Sequence, residues 1–243
     1  MNNNSYKEFS QIYDLLMNDI DYEKWTSFII DKLGINNNKV LEAACGTGSI
    51  TSLMAEHNFK VTAFDLSQDM LMRAYEKLGR IPNVKLLNQN MTNFKIDDKF
   101  KGAICCCDGI NYITSEELLL FFNRINEHLD IGSKFIFDMS TEYKYKTMFN
   151  DTYVYDDNEI FYVWENIFDN ILSKVDIEIN FFVKDKLHKY ERITEIQTQY
   201  IHRTDEIVNM LNYAGFSDVK IFDDYNDNIV NDKSLRAVFC TTK

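Results

Sequence analysis

The segment Val40-Leu41-Glu42-Ala43-Ala44-Cys45-Gly46-Thr47-Gly48 constrains this chain more than any other. A short apolar run ends in an acid, two glycines turn the chain, and a helix to about His57 follows. Such a strand–turn–helix lets a ligand lie against backbone N–H groups at a helix N-terminus. Glycine is scarce here, eight in 243 residues alongside a single proline, Pro82, so a closely spaced pair is informative.

The same change of period recurs from 39 to 139. Val61 to Phe64, Val84 to Leu87, Ala103 to Cys107 and Lys134 to Phe137 read as further strands. Ser67 caps a helix through Leu78, and Thr114-Ser115-Glu116-Glu117 has the spacing of a capping box opening a helix to about Leu129. Strands alternating with helices predict an α/β fold on a mostly parallel sheet, its ligand edge at the strand C-termini. Ahead of it, residues 5–33 read as two helices, with Asp21 as N-cap and Gly34 as end of the second. From 141 to 200 the rhythm breaks. Val175, Ile177, Ile179, Phe181 and Val183 alternate with polar residues, and Ile160–Phe168 and Tyr190–Tyr200 are rich in aromatic and β-branched side chains. This predicts an antiparallel insertion of about three strands. A helix near Thr204 and two strands, Val219–Phe222 and Arg236–Cys240, complete the chain as an antiparallel end.

Composition excludes several classes. The 38 acids against 26 bases, a formal charge of −12, argue against a nucleic-acid partner, since phosphate binding relies on clustered Lys and Arg. No run approaches the ~20 apolar residues that span a bilayer. No signal-peptide profile stands at the N-terminus, and the three adjacent cysteines, Cys105 to Cys107, suit reduced thiols and a cytoplasmic setting. They lack the spacing of a metal site, so no metal is expected.

Two further residues sharpen the glycine turn. Asp65 ends the next strand, where an acid takes ribose hydroxyls in nucleoside-binding folds. Thr51 occupies the third-glycine position of a dinucleotide fingerprint, and Glu42 would crowd a pyrophosphate while suiting an ammonium or sulfonium. An NAD(P)-dependent oxidoreductase is therefore the lesser reading.

Leu41 to Gly48 resembles the first motif of class I S-adenosylmethionine-dependent methyltransferases of bacterial small-molecule type. Phe9 to Met17, Asp21 to Trp25 and the late Ala214-Gly215-Phe216 are similar to the same family. The resemblance implies a Rossmann-like seven-stranded mostly parallel sheet with helices on both faces, plus the antiparallel β insertion. It implies one methyltransferase domain over 1–243: an N-terminal helical lid (1–38), a cofactor-binding core (39–140), the insertion (141–200) and the returning helix and hairpin (201–243).

The family's cofactor is S-adenosyl-L-methionine, with S-adenosyl-L-homocysteine as product. By the resemblance, Glu42 and the backbone of Ala44, Cys45, Gly46 and Gly48 hold its methionine part, Asp65 the ribose, and Leu66, Asn90 and Met91 the adenine. Asp108 stands where the chain passes the reacting methyl. Two positions depart from the pattern: Ala44 for the first glycine, and Asn90 for an acid, whose amide oxygen can still accept from the adenine amino group.

The implied reaction is in-line displacement of a methyl by a small-molecule nucleophile, with alignment and water exclusion as the protein's main task. Tyr13 and His202 are the candidate catalytic residues. A cofactor-binding module without transfer is the non-enzymatic alternative. The partner is expected to be a small methyl acceptor, with neither nucleic acid nor membrane, and the chain a monomer or homodimer. Residues 141–200 carry 12 acids and 7 bases, which favours a neutral or cationic acceptor such as an amine.

Overall fold

Alternation of apolar side chains along short strands decides where the helices lie, because neighbours on a strand face opposite sides. The computed structural model describes residues 13, 17, 19–149, 152–156, 160–169, 171–184 and 189–243. Strand β1 (Lys39–Ala43) pairs in parallel with β2 (Lys60–Asp65) on one side and β4 (Phe100–Cys105) on the other. Strands β3 (Val84–Asn88) and β5 (Leu129–Ser140) extend the sheet outward, also in parallel.

The insertion contributes β6 (Tyr153–Asp156), β7 (Ile160–Asp169), β8 (Lys174–Lys184) and β9 (Tyr190–Tyr200), a separate antiparallel sheet in that order. The hairpin of β10 (Ser217–Asp223) and β11 (Arg236–Thr242) then closes antiparallel on β5. The main sheet runs β10-β11-β5-β4-β1-β2-β3.

Val40, Val61, Ile104, Ile136 and Val238 line one face of the main sheet, under helices α1 (Tyr22–Leu33), α2 (Ser49–Glu56) and α3 (Gln68–Leu78). Leu41, Ala103, Phe135, Phe137 and Phe239 line the other, under α4 (Ser115–His128). A short α5 (Glu142–Met148) leads into the insertion, and α6 (Thr204–Tyr213) returns to the α4 side. The sheet is therefore covered on both faces, as expected. Helix ends follow local chemistry. Asp21 accepts from the Lys24 N–H, Gly34 takes the left-handed turn at φ 65°, and Thr114 and Glu117 form both halves of the capping box.

Two expectations need correction. The insertion has four strands, not three, and is preceded by a helix. Every residue of β6 is exposed, so it carries no alternation to read, and α5 buries only Tyr145. The fourth strand ends at Cys105, two residues early, because Cys107 and Asp108 adopt left-handed φ values of 58° and 59°. The expected first helix lies outside the described residues apart from Tyr13, Met17, Asp19 and Ile20.

The left-handed pair is held by a buried acid on the next strand. Asp138 accepts the N–H of Asp108 at 2.7 Å and of Cys107 at 3.2 Å, the Tyr225 hydroxyl at 2.7 Å and Arg236 Nη1 at 2.8 Å. Arg236 also reaches Asp108 at 2.6 Å and lies 4.8 Å from the centre of the Trp25 ring, which stacks on Tyr225. Burial raises the Asp138 carboxyl and Arg236 opposes it; at Asp108, Arg236 and Lys144 outweigh burial and bring the carboxyl below its usual range. Asp138→Asn removes one acceptor oxygen from this fully enclosed set. The substitution should destabilise the protein by about 2–4 kcal/mol, read as a lower urea midpoint.

Candidate functional site

A cavity of about 770 Å³ opens over the C-terminal ends of β1, β2 and β4 and the residues following β3, and reaches the insertion sheet through β9. Its floor is the glycine turn. Gly46 has φ 53°, and a Cβ built on it meets nothing within 4 Å, so the turn leaves its backbone uncovered. The Gly46 N–H donates to Asp65 Oδ2 and the Ser67 N–H to Asp65 Oδ1, both at 2.8 Å. One carboxylate thereby ties the turns after β1 and β2 together. Burial raises Asp65, while the Ser67 and Gly46 N–H groups pull it down.

Glu42 lies beneath this turn and is 3% exposed. Its Oε2 accepts from Thr51 Oγ1 at 2.7 Å, and its other oxygen has no partner among the described residues. Burial pushes the carboxyl up to about 8, with the Thr51 bond opposing and the Asp65 charge adding. Thr51 thus uses the position of a dinucleotide fingerprint's third glycine to hold an acid. A cation set against Glu42 would restore its charged form. The uncovered turn, an acid suited to an ammonium and Asp65 beside it fit S-adenosylmethionine.

The first-glycine position shows how the departure at Ala44 is accommodated. Ala44 takes φ 53°, a conformation that costs a non-glycine residue roughly 1–2 kcal/mol. Opposite it stands Gly109, where an added Cβ would lie 3.1 Å from the Ala44 Cβ and 2.8 Å from Cys105 Sγ. Space for the methyl is made across the turn.

Of the expected cofactor residues, the structure gathers Glu42, Ala44, Cys45, Gly46, Asp65, Leu66, Asn90 and Met91 on the cavity wall. Leu66 is an apolar rim residue, 66% exposed. Three placements differ from expectation. Gly48 is off the wall; at φ 80°, its Cβ would meet Leu78 Cδ1 at 2.6 Å, so it serves α2–α3 packing. Asn90 Oδ1 accepts from both the N–H and the hydroxyl of Thr92 at 2.8 Å, which leaves the amide nitrogen, not the oxygen, uncommitted. The Asp108 carboxylate turns to Arg236 and Lys144 and does not line the cavity.

The two catalytic candidates part company. Tyr13 lines the cavity, where burial, then the neighbouring Cys107 and Tyr112, hold its hydroxyl protonated. His202 does not reach it. The ring is 2% exposed, with Nε2 at 3.2 Å and 3.1 Å from the carbonyls of Ile110 and Ile113. It fastens the short 3₁₀ turn Gly109–Tyr112, and burial lowers its basicity.

The far wall of the cavity was not among the residues expected from the sequence. Ile193, Glu195, Gln197 and Gln199 alternate onto one face of β9, and Glu195 is 2% exposed there. Tyr112 donates to Gln197 Oε1 at 2.9 Å, and Gln197 Nε2 lies 3.4 Å from Glu195 Oε1. The available signal was polar side chains at positions that alternation assigns to a buried face.

Comparison with known proteins agrees with this geometry. Residues 40–132 match the family described as a methyltransferase domain. A protein of Geobacillus sp. (strain WCH70) assigned to the methyltransferases is 33% identical over 98% of this chain and all of its own. The crystal structure of an S-adenosylmethionine-dependent methyltransferase from Clostridium acetobutylicum ATCC 824 superposes with a TM-score of 0.86 at 34% identity, covering 98% of this chain and 99% of that one. A sugar N-methyltransferase from Streptoalloteichus sp. ATCC 53650 shares the fold at 16% identity and a TM-score of 0.76, over 95% and 92% of the two chains. The dinucleotide oxidoreductase reading is set aside, and the chain belongs to the S-adenosylmethionine-dependent methyltransferases.

Proposed function

We propose that this enzyme methylates a nitrogen or oxygen of a small molecule held between the glycine turn and the inner face of β9. One observation supports this most: a single cavity joins the cofactor floor to the insertion sheet, and its volume of about 770 Å³ lies within the roughly 300–1,000 Å³ of small-molecule sites. Sugar N-methylation on the same fold is compatible with such a room.

In this reading Glu42 and the N–H groups of the turn hold the amino-acid end of the cofactor, and Asp65 holds the ribose. Leu66 and Met91 cover the adenine, and Asn90 offers its amide nitrogen to the ring edge. When bound, S-adenosylmethionine supplies a methyl already activated on a sulfonium. The chain's own contribution is then alignment and exclusion of water, by Tyr13, Tyr22 and Tyr112 on the wall and by the β9 roof. No described helix is long and apolar enough to cross a membrane.

Incubating the enzyme and S-adenosylmethionine carrying a labelled methyl with a bacterial extract tests the acceptor class. Label should accumulate in the dialysable fraction. Label confined to protein or nucleic acid would refute the small-molecule reading.

Glu42 generates a second prediction, with its sign set by the raised carboxyl. The folded state prefers the proton, so stability without ligand is full below pH 4.5, falls as pH rises toward about 8 and levels beyond. Glu42→Gln removes that fall. Without ligand the variant should gain up to roughly 3–5 kcal/mol over wild type between pH 5 and pH 8. Its affinity for S-adenosylhomocysteine should drop by roughly 1–3 kcal/mol. Parallel denaturation at both pH values and calorimetric titration read the two effects.

A further inference from the structure

Glu195 is a carboxylate in an unusual position. On β8 and β9 the face turned toward α5 carries an apolar core of Val175, Ile177, Ile179, Phe181 and Ile193 around Tyr145, with Gln197 and Gln199 as its neutral polar members. Glu195 sits within this face and on the cavity wall, 2% exposed. Its one hydrogen-bond partner among the described residues is the Gln197 amide at a long 3.4 Å, and its Oε2 has none. No described Lys, Arg or His forms an ion pair with it. Burial lifts the carboxyl to about 7, with Gln197 pulling back.

A buried acid without a cation is an expensive arrangement for a fold, since desolvation of the charge is not offset. Among the described residues, the buried or half-buried acids Asp138, Asp108 and Asp65 are offset, the first two by Arg236 and the third by two N–H groups. Glu42 alone shares the condition of Glu195, and it faces the place where the cofactor's ammonium belongs. The second open acid, on the opposite wall, points to a second cation.

Resting on the methyl-transfer reading above, we propose that the acceptor is an amine and that Glu195 binds its ammonium and takes its proton. In the step, the carboxylate removes H⁺ from R–NH₃⁺, and the freed lone pair attacks the methyl carbon. A C–N bond forms, the C–S bond breaks, and sulfur leaves with the electron pair as a neutral thioether. The new R–NH₂–CH₃⁺ departs as an ammonium, and Glu195 gives its proton to solvent. A hydroxyl acceptor brings no cation to this carboxylate and fits the wall less well. The surplus of acid over base in residues 141–200, 12 against 7, acts in the same direction. Glu195 faces Tyr112 from the 3₁₀ turn, and Tyr13, Tyr22 and Cys107 share the cavity. Burial holds Tyr112, Tyr13 and Cys107 in their protonated forms, so none of them competes as a base near neutral pH.

Sinefungin tests the charge, because it carries an ammonium in place of the transferable methyl, on a carbon that replaces the sulfur of S-adenosylhomocysteine. Calorimetry on the whole chain should show sinefungin bound more tightly than S-adenosylhomocysteine at pH 8. That preference should shrink roughly tenfold in Glu195→Gln and in wild type below pH 6, while S-adenosylhomocysteine affinity is unchanged by the substitution. Glu42 contacts both ligands alike and cancels in the ratio; failure of S-adenosylhomocysteine to bind would instead refute the cofactor assignment. A ratio indifferent to Glu195→Gln would overturn the proposal. The second arm uses wild type saturated with S-adenosylhomocysteine and ¹³C-labelled at glutamate. Methylammonium chloride, but not methanol or sodium chloride, should lower the Glu195 titration midpoint. If sinefungin responds and methylammonium does not, the acid serves the methyl donor, and the amine-acceptor proposal fails.

Discussion

The Arg236 guanidinium holds together the part of the molecule on which the site depends. It begins β11, yet it bonds carboxylates at the ends of β4 and β5 and lies over the Trp25 ring of α1. Without it, Asp138 and Asp108 would be two acids enclosed side by side. With Lys144 3.7 Å from Asp108, the set balances two negative charges by two positive ones. Asp138 in turn fixes Cys107 and Asp108 in the left-handed region, which costs about 1–2 kcal/mol per residue and persists only when its surroundings demand it. The turn after β4 is therefore shaped by a buried charge cluster, not by glycine.

From that turn, polar contacts lead to the roof. The 3₁₀ segment after Asp108 carries Asn111, whose amide donates to the Tyr200 carbonyl of β9 and accepts from the Ser140 N–H of β5. His202 grips the same segment, Tyr112 bonds Gln197, and the buried Tyr145 hydroxyl of α5 donates to Gln199 at 2.8 Å. The Asn111–Tyr200 and Tyr112–Gln197 bonds cross from the turn after β4 to the insertion, and Tyr145–Gln199 ties β9 to α5. The wall bearing Glu195 is thus tied to the turn after β4, which packs on the cavity floor at Ala44, and a displacement at Arg236 would be felt at both ends of the cavity.

The parallel sheet was legible in the chain because local signals agreed there: short apolar strands, caps at Asp21, Ser67 and Thr114, and the glycine turn with its acid. The glycine turn on the cavity floor and Asp65 beside it followed from the same spacing, and the resemblance supplied Leu66, Asn90 and Met91 on the cavity wall. The errors have physical causes. Gly48 and Gly46 look alike in sequence, but one faces a helix and the other faces open space. Asp108 was placed correctly along the chain, yet its partner Arg236 is 128 residues away, and no local pattern announces that pairing. Asn90 was given a role for an oxygen that Thr92, two residues on, already occupies. Glu195 and Gln197 showed only as polar residues at inner-face positions of β9, a signal whose meaning depends on the wall opposite. The single exposed strand β6 offered nothing to read.

Acidity takes on a local meaning in this molecule. Two carboxylates, Glu42 and Glu195, stand on opposite walls of one cavity, each with an oxygen that no described residue satisfies, and both are held above the usual carboxylate range. The central claim is that this cavity holds donor and acceptor together. A crystal structure with S-adenosylhomocysteine tests it most directly. The ligand's amino group should lie against Glu42, its ribose hydroxyls on Asp65, and its sulfur facing the space between Tyr112 and Glu195. A ligand bound with its sulfur turned away from β9, or sealed from it by protein, would contradict it.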